Sequence, residues 1–165
     1  MARSEISAYL RLFDSAFNGT DHSLIKNLET VDDGSWEALP QGARRTIKDI
    51  TAHVGMFKYM YPGSAFRTRE YDYGDDPVTP PPECLATVQS AFEWLTEAHE
   101  YLITAFSELE DDSELDKPRL AHWGDHLPTR SLMNIVLEHD TYHAGEINRT
   151  RALLQDDDDW PDHND

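Results

Sequence analysis

Residues 129–154 read TRSLMNIVLEHDTYHAGEINRTRALL. Leu132, Ile135, Val136, His139, His143, Ile147 and Leu154 recur at spacings of three and four, which predicts one inward face on a helix that starts after Pro128-Thr129. That face is apolar except for its two histidines. Residues four apart lie one above the other on a helix, so the rings of His139 and His143 can point at a single ion. Burying two ionisable rings side by side is costly unless something satisfies them. A borderline divalent metal does so through imidazole nitrogen. The alternative is a hydrogen-bonded pair of core histidines, or a surface pair.

Working outward, a second helix is predicted from Thr46. Thr46-Ile47-Lys48-Asp49 resembles a capping box with Asp in the third helical position, Ile50, His53, Phe57 and Met60 share a face, and Pro62-Gly63 is expected to end the helix. A first helix runs from Ser4 to Phe17 on Ile6, Leu10, Phe13 and Phe17, breaks at Asn18-Gly19, and continues or restarts through Leu24 and Leu28. A third starts after Pro80-Pro81-Pro82 with Glu83 in its first turn, and carries Val88, Phe92, Leu95, Leu102 and Phe106. Residues 32–42 read as a turn-rich connector, 67–82 and 110–127 as long polar loops, and no stretch reads as a strand. The expected fold is all-α: a four-helix bundle over residues 1–155, with long loops between helices 2 and 3 and between helices 3 and 4, and an acidic flexible tail at 156–165.

Composition sets the outer limits. With 39% apolar residues and 165 in all, the chain suits one domain with a proper core. No run approaches the roughly 20 apolar residues of a membrane span, and MARSEISAYLRLF lacks the features of a secretory signal. A single cysteine, Cys84, cannot form an internal disulfide, so a reducing cytoplasm is expected. The charge balance, 14 basic against 32 acidic residues for a net of −18, disfavours nucleic acid and anionic membranes as partners. A small molecule is the expected partner.

His53 shares the second helix's inward stripe, so two helices each offer histidine to one interior. Three nitrogen ligands would leave a coordination position open, the pattern of a catalytic site rather than a closed structural one. Ala52-His53-Val54, together with Glu138-His139-Asp140-Thr141-Tyr142-His143-Ala144-Gly145-Glu146-Ile147-Asn148, resembles the DinB/YfiT-like superfamily. The resemblance covers nearly the whole chain in length and helix order, and its specific part is these two short motifs. It implies a four-helix bundle that binds a divalent metal, zinc or nickel, through His53, His139 and His143. It also implies kinship with thiol transferases that use bacillithiol or mycothiol and with a mycothiol-dependent maleylpyruvate isomerase, and a tendency to homodimers. A low-molecular-weight thiol is then the expected co-substrate.

Glu146, one turn beyond His143, is the candidate catalytic carboxylate, either orienting an imidazole or acting as a general base; pairing with Arg149 or Arg151 is its plainer reading. Glu138 and Asp140 are expected to be solvated surface charges. Tyr142 and Trp123 are candidates for a pocket mouth, His99 could face inward or outward, and His122 and His126 read as loop residues. Cys84, with nothing basic beside it, is expected to pack rather than react. Thiol S-transfer is the leading reaction, metal-dependent hydrolysis the second. A non-catalytic metal- or ligand-binding bundle in a stress response, or an adaptor acting through its tail, are the rivals from other classes.

Overall fold

The computed structural model describes residues 2–19, 22–66 and 78–158, and these are mostly helical. The element order is α1 (Ser4–Asp14), α2 (Leu24–Glu29), α3 (Asp33–Trp36), α4 (Ile47–Phe66), α5 (Val88–Ser107), β1 (Pro118–Leu120), β2 (His126–Pro128) and α6 (Thr129–Gln155). Helix α4 packs against α5 and α6, and α1 lies against the same two. None of the described helices is long and apolar enough to cross a membrane.

The expected stripes form the core. Ile6 and Phe13 of α1, Ile50 and Phe57 of α4, Leu95, Leu102 and Phe106 of α5, and Val136 and Ile147 of α6 are buried in one cluster. Each fully buried side chain of this kind stabilises the fold by about 1.5–3 kcal/mol before entropy is counted. After α1 the chain makes a π-helical turn, Ser15–Gly19, in which Asn18 leaves helical geometry, and Leu24 and Leu28 then return to the core. The turn-rich connector holds the short α3, capped by the Asp32 carboxylate on the Ser35 amide, and its Trp36 indole donates to the Leu85 carbonyl.

Several boundaries differ from the sequence expectation. The capping box at Thr46 forms, with the Thr46 amide donating to Asp49 and the Asp49 amide to the Thr46 hydroxyl. Pro62-Gly63, however, does not end α4, which continues to Phe66. A proline costs the helix one internal hydrogen bond. Here both residues are buried, and the last turn places Ala65 against Ala121 and Leu132. Helix α5 begins later than expected. A 3-10 turn, Pro82–Leu85, contains Glu83, and the helix proper is capped at Thr87 by a reciprocal pair with Ser90. The connection before α6 is not all loop. Asp112–Asp116 form a 3-10 turn, and β1 and β2 pair antiparallel, with Pro118 opposite Pro128 and Leu120 opposite His126. Strands of three residues carry too little periodicity to read from sequence. Of the long loop after α4, residues 67–77 lie outside the described residues, as do tail residues 159–165. Asp157 accepts from the buried Arg151 guanidinium.

Two close packings tie the long helices together. A Cβ built on Gly55 of α4 would lie 2.3 Å from the Trp94 ring of α5, so only glycine allows this approach. The second is a polar string that runs from buried Asp140, Lys58 and His99 out to exposed Asp14. Lys58 donates to Asp140 at 2.5 Å and to His99 Nδ1 at 3.3 Å, and the His99 Nε2–H reaches Asp14 at 3.4 Å. Lys58 also lies 5.1 Å above the Phe17 ring, which stacks on His99 at 3.9 Å. The four polar residues come one each from α1, α4, α5 and α6. Asp140 is therefore not a surface charge: it and Lys58 are almost wholly buried.

Burial and the neighbouring Lys58 ammonium press the His99 pKa down from 6.5 to about 2. In the unfolded chain His99 binds a proton below about 6.5, and in the folded protein only near 2. Stability is therefore greatest above pH 6.5 and falls as the pH drops below it. Urea unfolding at pH 7 and pH 5 should show His99 costing about 2 kcal/mol over that interval. His99→Gln should remove that part of the acid sensitivity. An unchanged pH slope in the variant would mean that His99 is hydrated or already charged.

Candidate metal centre

His53 from α4 and His139 and His143 from α6 converge. One ligand-capable atom of each lies within 4.8 Å of the others. His53 Nε2 and His139 Nε2 face each other at 3.1 Å, and the His139 and His143 rings are 4.5 Å apart. The convergence follows from spacing: α6 stacks its two rings four residues apart, and α4 turns His53 toward them beside buried Ile50 and Phe57.

The surroundings favour the neutral form of His53 and His139. Burial, then the charges of His143, His53, Lys58 and His122, push the His139 pKa down to about 3. His53 is lowered by burial, His143 and Arg45, against an opposing pull from Glu146. Imidazole nitrogens gathered in this way are the donor set that a borderline divalent ion takes, and three such ligands would leave a coordination position to a further one. The residues present fit such an ion.

Glu146 lies beside the cluster rather than in it. Its Oε2 accepts from His143 Nδ1 at 2.8 Å, which leaves His143 Nε2 for the centre. Its Oε1 accepts from Arg45 at 2.7 Å. Both carboxylate oxygens are thus engaged, the arrangement that fixes the tautomer and direction of a ligand histidine. The ion pair forms with Arg45, not with Arg149 or Arg151, which bond Asp158 and Asp157.

Aromatic groups wall the other side. Phe57 and Tyr61 rings lie 5.3 and 5.8 Å from His139, and both also touch His122 in the β1–β2 turn. His122 Nδ1 is buried with no hydrogen-bond partner among the described residues, and burial lowers its pKa. Trp123 packs edge-on against His122 at the surface and donates to Asp125, while exposed Tyr142 packs edge-on against His143. His126 lies on β2, exposed, and brings nothing to the cluster.

Sequence reasoning missed Tyr61, His122 and Arg45 as neighbours of the site. Tyr61 follows His53 and Phe57 at steps of four, a signal the sequence does carry. His122 and Arg45 arrive on a turn and a connector, where spacing says nothing.

No curated protein matches this chain. The family model described as DinB superfamily matches residues 16–147, a span that takes in all three histidines, Glu146, the whole of α4 and the part of α6 up to Ile147. The chain belongs to the DinB superfamily.

Proposed function

We propose that this chain is a metal-dependent enzyme acting on a small molecule. His53, His139 and His143 hold one divalent ion, zinc or nickel, within a four-helix bundle formed by α1, α4, α5 and α6. The observation that carries the reading is the cluster itself: three imidazoles, two with Nε2 atoms 3.1 Å apart, and the third steered by a carboxylate on its far nitrogen. Held there, the ion supplies Lewis acidity, which lowers the pKa of a thiol or water that it binds.

Transfer of a low-molecular-weight thiol to an electrophile is the favoured reaction. Glu146 orients His143, and Phe57 and Tyr61 exclude water from one side. Hydrolysis uses the same residues and is the second reading. We place the protein in the cytoplasm, as a homodimer with no nucleic-acid or membrane partner.

Elemental mass spectrometry of the purified, untagged protein should find about one equivalent of zinc or nickel. A variant carrying His139→Ala and His143→Ala should lose it while remaining helical by circular dichroism. Wild-type protein that holds no metal even after reloading and dialysis would reduce the cluster to core histidines and end the enzymatic reading.

A further inference from the structure

A cavity of about 490 Å³ opens beside the candidate centre, lined by Arg44 and Arg45 from the connector, Ile50 of α4, and Glu146 and Thr150 of α6. That volume lies within the range of small-molecule sites. Ile50 precedes His53 by three residues and Glu146 follows His143 by three. At a rise of about 1.5 Å per residue, the cavity lies about 5 Å along the helices from the histidines. Thr150 carries it about 6 Å further.

Its charge runs against the rest of the protein. The chain holds 14 basic and 32 acidic residues, yet two adjacent arginines line this one cavity. Glu146 offsets one of them, by a single hydrogen bond from Arg45 Nη2. Arg45 thereby keeps further N–H donors, and Arg44 has no ion-pair partner among the described residues. A guanidinium fork matches a carboxylate in shape and charge, and two forks exceed what one glutamate neutralises. An anion approaching this protein meets a repulsive overall field, which is screened beyond about 8–10 Å, so only contacts at close range can hold it.

We propose that this cavity takes the carboxylate end of the molecule that reacts at the histidine cluster, with Arg44 and Arg45 as the anion-recognising pair. The proposal rests on the metal-centre reading and narrows its substrate to a carboxylic acid whose reacting atom lies one to two helical turns from the acid group. Ile50 supplies an apolar wall for the chain between the two ends.

The test compares 4-mercaptobutyrate with 4-mercaptobutanamide, probes of equal length that differ in charge. In metal-free protein, the carboxylate should shift the arginine Nε–H resonances of Arg44 and Arg45 saturably in nitrogen–proton spectra. The amide should bind about tenfold more weakly, and Arg44→Gln should weaken the carboxylate by about tenfold. Arg44 is an exposed connector residue, so the variant's remaining spectrum should overlay the wild type. Equal binding of the amide, or undiminished binding to Arg44→Gln, overturns the proposal.

A second arm uses protein loaded with cobalt(II), its metal content measured. Methylene protons of bound 4-mercaptobutyrate should relax faster than in zinc-loaded protein, and Arg44→Gln should lose the effect at the same probe concentration. A probe that saturates the arginines yet is not relaxed by bound cobalt overturns its assignment to the reacting molecule. Protein that takes up no cobalt defeats the metal-centre reading and the link to it, while the metal-free arm still decides the anion site.

Discussion

Lys58→Met should lower the free energy of unfolding by about 3–5 kcal/mol, read from urea midpoints at pH 7. The pair it breaks is 2% exposed on each side, with a hydrogen bond of 2.5 Å. Removing the ammonium leaves the Asp140 carboxylate charged and dry. Its Oδ1 already lacks a partner among the described residues, so it has no second bond to fall back on. Methionine fills the volume, so the loss reports the stranded charge rather than a cavity. The double variant Lys58→Met, Asp140→Leu removes both charges and should regain most of the loss, because a buried ion pair is worth little more than well-packed apolar groups. A single variant within about 1 kcal/mol of wild type would show that water reaches Asp140.

Gly55→Val should cost about 3 kcal/mol, and Gly55→Ala less. Two effects oppose each other at this position. Alanine gains about 1 kcal/mol of helix propensity over glycine. Against that, the new Cβ would sit 2.3 Å from two atoms of the Trp94 ring, itself buried and near Tyr59. A rigid indole cannot yield more than an ångström without moving α5, so repulsion wins. Valine adds two methyl groups with no propensity gain. Thermal unfolding should rank wild type above Gly55→Ala above Gly55→Val. Shortening the neighbour, as Gly55→Ala with Trp94→Leu, should recover part of the clash but lose the packing of the ring. A stabilised Gly55→Ala would mean that α4 and α5 stand further apart than this contact requires.

The legibility of these features in the sequence follows the same physics. Helix α6 and its two histidines are readable because one face is wet and the other dry, which sharpens a period of 3.6. Helix α4 is harder: it is buried on nearly all sides, so Pro62-Gly63 dominates the reading of its end although burial overrides both. The start of α5 misleads because prolines and an acid suit a 3-10 turn as well as a helix.

Asp140 is misjudged by residue type. Its position tells otherwise: Met133, Val136, Asp140, Ala144, Ile147 and Arg151 form a second stripe on α6, and all six are buried. Lys58, four residues after buried Val54, carries a similar signal. Polar residues on an apolar stripe are therefore worth pairing with one another before they are assigned to the surface. The histidine cluster is legible for that reason, since its members lie on two such stripes. Arg44 and Arg45 are not, because a connector has no period to place them.

The polar string of Asp14, His99, Lys58 and Asp140 also constrains how this protein can change over generations. An ordinary core position can drift through similar apolar residues, each step nearly neutral. Here any single replacement of Lys58 or Asp140 passes through an intermediate with an unmatched charge, although the fully apolar endpoint would be as stable as the start. The pair sits in a fitness valley with two rims. Descendants are expected to keep both residues or lose both together, and to hold His99 and Asp14 only as long as the charged pair remains.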